Sequence, residues 1–123
     1  MAKPKNISIV GLRYDEFYAH TLAIGYLKAY TDAQPDLAER YRTFLVERTV
    51  HEPLAVQASE ILDQGPDIVA FSCYLWNYAR VTQLCRVVKE ARPRVRIILG
   101  GPEVSVRGPA VLADVPEADV VVQ

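Results

Sequence analysis

Two rhythms of apolar residues alternate along this chain, one with the period of strands and one with the period of helices. Residues 6–12 (Asn-Ile-Ser-Ile-Val-Gly-Leu) are a β-branched run that predicts a strand, and residues 21–30 then place Leu22, Ile24, Tyr26, Leu27 and Tyr30 near helical spacing. Residues 32–39 read as a polar connection broken by Pro35. A second strand is predicted over 41–50 through Phe44, Leu45 and Val46, after which Pro53 opens a helix carrying Leu54, Val56, Ala58, Ile61 and Leu62 that stops at Gly65-Pro66. Residues 68–71 form a buried strand. Asn77 is a suitable N-cap for a third helix whose Val81, Leu84, Cys85, Val88 and Ala91 share one face until Pro93. Residues 95–99 predict a fourth strand, 108–114 a short helix, and 118–122 a fifth strand.

Strands alternating with helices at this spacing imply right-handed crossovers and a parallel sheet. The fold class expected is therefore α/β, a doubly wound five-stranded sheet of flavodoxin-like order 2-1-3-4-5. In that order the ends of the first and third strands flank the switch point where ligands lodge, which brings residues 11–20 and 72–77 to one crevice.

Length and charge narrow the possible functions. The chain has 123 residues, half of them hydrophobic, which suits a single domain with one core. Its 14 Lys+Arg against 15 Asp+Glu give a net charge of -1, so neither nucleic acid nor an anionic membrane surface is an expected partner. No run of about 18 apolar residues predicts a membrane span, and the basic start at Met1-Ala2-Lys3 lacks the pattern of a secretory leader. Two cysteines, Cys73 and Cys85, make neither a disulfide framework nor a zinc site and fit a reducing cytoplasm. The final apolar strand has no helix after it to cover it, which suggests the front piece of a longer polypeptide and leaves a pairing edge through which the fragment would dimerise.

The residues at the strand ends exclude several ligands. No G-x-G-x-x-G follows the first strand, where Gly11-Leu12-Arg13-Tyr14-Asp15 stands, and no P-loop lysine is present. A phospho-receiver needs an aspartate where the third strand ends in Ser72, and a flavin mononucleotide site needs a Ser/Thr-rich loop where Arg13-Tyr14-Asp15-Glu16 is found. What remains is a ligand that uses the third-strand serine and the glycines after the fourth strand. Glycine there lets a flat ring or ribose approach the main chain; the plain alternative is a tight turn into the next helix.

The run Asp67-Ile-Val-Ala-Phe-Ser-Cys-Tyr-Leu-Trp-Asn77, with Ser72 followed by Leu75, and the run Ile97-Ile-Leu-Gly-Gly-Pro-Glu-Val-Ser105 resemble the N-terminal cobalamin-binding domain of cobalamin-dependent radical SAM enzymes. The resemblance covers nearly the whole chain. It implies that Ser72 hydrogen-bonds the benzimidazole of a buried nucleotide tail while Gly100 and Gly101 allow close backbone approach. Contacts to cobalamin would come from Tyr14, Asp15, His20, Ser72, Cys73, Tyr74, Leu75, Trp76, Asn77, Gly100, Gly101, Pro102, Glu103 and Val104; of the aromatics around the crevice, which also include Phe17, Tyr18 and Tyr78, Tyr74 and Trp76 rank ahead of Phe17.

Domains of this kind that ligate cobalt through D-x-H-x-x-G differ here, since Asp15, His20 and Gly25 are each five apart. His20 stands as a candidate axial ligand, or else lines the first helix while cobalt is held without a protein histidine. Cys73 is either a ligand-facing thiol or core, Glu103 either accepts from corrin amides or favours a helix N-terminus, and His51 is read as a helix-entry residue. The resemblance further implies a [4Fe-4S] cluster and S-adenosylmethionine in a radical SAM domain in cis beyond Gln123, because two cysteines cannot supply a C-x-x-x-C-x-x-C set. Two other readings stay open on the residues alone: a flavodoxin-like regulatory or assembly domain without cofactor, and a small flavin carrier.

Overall fold

A computed structural model of the chain describes residues 3–16 and 21–123. Five parallel strands, β1 (Lys5–Arg13), β2 (Tyr41–Thr49), β3 (Ile68–Ser72), β4 (Arg96–Gly100) and β5 (Val120–Val121), form one sheet in the order β2-β1-β3-β4-β5. This is the doubly wound α/β order expected from the sequence. The helices between them are α1 (Leu22–Ala33), α2 (Pro35–Arg40), α3 (Leu54–Asp63), α4 (Tyr78–Ala91), α5 (Pro102–Ser105) and α6 (Ala110–Asp114). No helix among the described residues is long and apolar enough to cross a membrane.

The two sheet faces are unequally covered. Successive strand residues point to opposite faces, so Val10 and Leu12 of β1, Val69 and Phe71 of β3, and Ile97 and Leu99 of β4 share one side. They join Ala58 and Ile61 of α3, Val81, Leu84, Cys85 and Val88 of α4, Val104 of α5 and Val111 of α6 in a single buried cluster. Ile9 and Ile24 are equally buried but stand outside that cluster, on the other face, where α1 packs over β1 and β2. Ser8, buried on the main-core side, donates to the Ile61 carbonyl at 3.0 Å and so leaves no unpaired hydroxyl.

Four local expectations differ from the structure. The polar stretch 32–39 is helical: α1 runs to Ala33 and α2 starts at Pro35, whose ring suits the first helical position. Of the apolar residues spaced along α1 only Ile24 is buried, while Leu22, Tyr26, Leu27 and Tyr30 are exposed. Asn77 does occupy the N-cap of α4, yet its side chain makes no cap hydrogen bond, because it is engaged elsewhere. The ladder of β5 is limited to Val120 and Val121, paired with Ile98 and Leu99.

Gly101 is held at φ +101°, and a Cβ built on it would lie 2.6 Å from the Cys73 carbonyl oxygen. Gly101→Ala is therefore expected to destabilise the fold by about 2 kcal/mol or more. Gly25→Ala, in a helix with nothing within 4 Å of the added carbon, is expected to stabilise it by about 0.5–1 kcal/mol. Urea unfolding of both variants checks the pair, and equal effects would contradict it.

Cys73 and Cys85 are both fully buried. Burial, reinforced by the Glu103 carboxylate, pushes the Cys73 thiol up to about 12, and burial raises Cys85 as well. Neither thiol should react with a disulfide reagent at about pH 8 in the folded protein, and both should react once it is unfolded. The folded state holds the Cys73 proton more firmly than the unfolded chain, so its contribution is complete below the ordinary value of 9.0 and is lost as pH rises towards about 12. Stability should accordingly fall less between about pH 8 and about pH 10.5 in Cys73→Ala than in the unsubstituted chain.

Candidate functional site

Helix α1 is tied to the β2 side of the sheet at both ends. At its start the Thr21 amide donates to the Glu47 carboxylate of β2 at 2.9 Å. Two turns on, Lys28 donates to the Thr43 carbonyl at 2.9 Å and to the Asp32 carboxylate at 2.8 Å, while the Thr43 hydroxyl donates to Asp32 at 2.8 Å. Held there, α1 leaves the same face of β3 and β4 open. The result is a trough of about 570 Å³ with Ile7, Ile9, Ile68, Ala70 and Ile98 as floor, and Ile24, Leu27 and Thr31 of α1 along one wall. Ser72, Tyr74, Gly100, Gly101, Pro102 and Val122 surround its upper end.

Register gathers the smallest floor residues at that end. Gly11 of β1 pairs with Ser72 of β3, and Ser72 with Gly100 of β4, so three small residues lie in one row across the strand ends. The row below is Ile9, Ala70 and Ile98. The three small positions are used differently. A Cβ on Gly11 would meet Ile24 Cδ1 at 2.9 Å, so its space is taken by α1, whereas a Cβ on Gly100 would meet only Val122 at 3.8 Å and point into the trough. Gly101 serves the turn: its positive φ redirects the chain into α5, and its carbonyl accepts from the Ser105 amide at 3.0 Å and the Ser105 hydroxyl at 2.8 Å. Gly101 thus makes the tight turn weighed from the sequence, while Gly100 leaves open space on the trough floor.

The expected crevice between the ends of β1 and β3 is bridged by side chains. Asn77, fully buried, donates from Nδ2 to the Leu12 carbonyl at 3.1 Å and the Ser72 carbonyl at 3.0 Å, and its Oδ1 accepts from the Tyr74 amide at 2.8 Å. Trp76 Nε1 donates to the same Leu12 carbonyl at 3.0 Å, and its ring stacks on Tyr74 with centroids 4.5 Å apart. The opening lies one strand over, between Ser72 and Gly100.

Of the residues singled out from the sequence, Ser72, Tyr74, Gly100, Gly101 and Pro102 line the trough. Cys73 and Val104 are buried in the main core on the opposite face, so their side chains do not line the trough; alternation along β3 turns Cys73 away from Ser72. Asn77 is internal, and Leu75 is exposed on the connecting loop. The Glu103 amide donates to the Cys73 carbonyl at 3.2 Å, and its carboxylate faces Arg107. Tyr14 packs edge-on to His51 at 5.9 Å, and Asp15 follows it in the loop after β1. Tyr78 is covered by the Arg107 guanidinium at 4.9 Å, away from the trough. His20, Phe17 and Tyr18 lie outside the described residues. Among the described residues no group of three His, Cys, Asp or Glu side chains is placed to hold a metal.

Sequence reasoning did not single out Ile9, Ile24, Ala70, Ile98 or Val122 as part of the site. A usable signal was present, because Ala70 and Ile98 sit two residues before Ser72 and Gly100 and must share their face. Chemically, the trough is an aliphatic cleft with one available hydroxyl on its floor, that of Ser72, and a second, that of Tyr74, at its upper end. Ser72 is buried, its carbonyl is bound by Asn77, and its Oγ has no hydrogen-bond partner among the described residues. A volume within the ~300–1,000 Å³ of small-molecule sites suits a flat, mostly apolar group that accepts one hydrogen bond.

The chain is 34% identical over 122 residues to the 2-(S-pantetheinyl)-carbapenam-3-carboxylate methyltransferase of Streptantibioticus cattleyicolor, covering 96% of this chain and 17% of that protein. It is 32% identical over 107 residues to the cobalamin-dependent radical SAM methyltransferase TokK of Streptomyces tokunonensis, covering 84% of this chain and 14% of that protein. The chain therefore spans about a sixth of the length of these curated relatives.

Among solved structures, a cobalamin-binding protein from Desulfitobacterium hafniense DCB-2 superposes with a TM-score of 0.70 at 16% identity, over 97% of this chain and 52% of that one. The BeF3-activated DrrB receiver domain superposes with a TM-score of 0.53 at 19% identity, over 98% of this chain and 85% of that one. Both likenesses concern the fold; the phospho-acceptor aspartate expected of a receiver is replaced here by Ser72. The family model for the B12 binding domain matches residues 9–123, and the chain belongs to that family as a cobalamin-binding domain.

Proposed function

We propose that this domain is the cofactor-holding module of a cobalamin-dependent radical SAM enzyme, and that it receives the nucleotide tail of cobalamin in the trough between Ser72 and Gly100. The observation that carries the reading is the pairing of an uncommitted, buried Ser72 hydroxyl with a Gly100 position whose missing side chain leaves the floor clear. In this reading Ile9, Ile24, Ala70 and Ile98 enclose the benzimidazole, Ser72 donates to its free ring nitrogen, and the stacked Tyr74–Trp76 pair faces the corrin side. When bound, cobalamin supplies a cobalt centre able to carry a methyl group, the difficult chemistry being the cofactor's own.

The role of the protein is then to bind and orient. Burial of the tail against aliphatic side chains excludes water, and Asn77 keeps the ends of β1 and β3 in register beneath it. Support for the radical SAM setting comes from TokK, a cobalamin-dependent radical SAM methyltransferase by name. Both cysteines of this chain are buried in its core, so the [4Fe-4S] cluster and the S-adenosylmethionine site belong in this reading to a catalytic domain in cis.

Titration with hydroxocobalamin followed by desalting tests the tail site. Gly100→Leu is expected to unfold at nearly the same urea concentration as the unsubstituted chain, since a Cβ there meets only Val122 and the position borders the open trough, yet to retain at least tenfold less corrinoid, a loss of about 1.4 kcal/mol. Ser72→Ala should weaken retention about fivefold, the size of one hydrogen bond of about 1 kcal/mol. Equal retention by Gly100→Leu and the unsubstituted chain would contradict the proposal.

A further inference from the structure

We infer that the trough selects its corrinoid by the lower base, accepting a benzimidazole and discriminating against adenine. The inference rests on the tail-binding reading above and extends it to ligand specificity. Along the trough, Ile9, Ile24, Leu27, Ala70 and Ile98 offer no polar atom on their side chains. Its two threonines are already engaged: Thr31 Oγ1 donates to the Leu27 carbonyl at 2.8 Å, and Thr43 Oγ1 donates to Asp32 at 2.8 Å while accepting from Lys28 at 3.1 Å. On the sheet floor Ser72 carries the one hydroxyl without a partner among the described residues; the Tyr74 hydroxyl, also without one, belongs to the loop at the upper end.

The single hydroxyl donor of the floor matches the needs of one base and not of the other. A benzimidazole joined to its ribose has a single free ring nitrogen, and a serine hydroxyl donates a single hydrogen bond. Adenine adds an exocyclic amino donor and two more ring-nitrogen acceptors, which this aliphatic lining would bury without partners. The methyl groups of dimethylbenzimidazole, by contrast, gain from the same lining.

The test is a retention titration of this chain with three probes: cobalamin, its adenine-based analogue, and cobinamide, which lacks the nucleotide tail. Cobalamin is expected to bind at least tenfold more tightly than the adenine analogue, a difference of about 1.4 kcal/mol, and cobinamide more weakly than cobalamin. Ala70→Ser and Ile98→Thr each add a hydroxyl to the floor and should shrink the cobalamin-to-adenine ratio at least threefold; because the readout is a ratio within one variant, loss of stability does not mimic it.

Equal binding of the two bases with weaker cobinamide would overturn the selectivity and leave the tail site standing. Equal binding of cobinamide and cobalamin, or binding of none of the three, would overturn the tail site and the selectivity with it. A ratio unchanged in both variants would overturn the assignment of selectivity to this floor.

Discussion

The structure depends on the unequal covering of one parallel sheet. Helices α3, α4, α5 and α6 pack on one face, and that face carries the main core. Among the described residues the other face is covered mainly by α1, and α1 is drawn towards β2 by Glu47 at one end and by the Lys28–Asp32–Thr43 cluster at the other. Stability and binding are thereby separated: one side of the sheet is filled with the protein's own side chains, and the other presents an aliphatic surface suited to a ligand.

Small residues and one buried amide turn that surface into a site. The row of Gly11, Ser72 and Gly100 lowers the floor at the strand ends, and α1 fills only the part above Gly11. Asn77 fixes the neighbouring backbone by linking the Leu12 and Ser72 carbonyls to the Tyr74 amide, so the loop bearing Tyr74 and Trp76 is positioned by satisfied hydrogen bonds. The outcome is a hydroxyl donor set against a glycine, with apolar walls below both.

Much of this was legible in the sequence, for physical reasons that differ by element. Strands β1, β3 and β4 are apolar runs bounded by turn residues, and their alternation with helices dictates the sheet order. Ser72 and Gly100 stood out because a hydroxyl and a missing side chain are chemically distinctive at strand ends. Helix α2 was not legible, because its polar residues carry no apolar period and Pro35 reads equally as a breaker or as a first helical residue. The exposure of Leu22, Tyr26 and Tyr30 was hidden by the same helical spacing that correctly located α1. The function of Asn77 was masked too: its position is that of a helix cap, but its amide reaches two strand ends that only the fold brings together.

The central claim is that the ligand enters one face of the sheet and leaves the other untouched. Methyl-labelled isoleucine NMR measures this directly, because the chain places Ile9, Ile24 and Ile98 on the trough and Ile61 and Ile97 in the opposite core. On titration with cobalamin the account predicts large shifts for the first three methyl groups, from the aromatic ring entering beside them, and little change for Ile61 and Ile97. Shifts confined to Ile61 and Ile97, or an unaltered trough in a protein that has retained cobalamin, would contradict it.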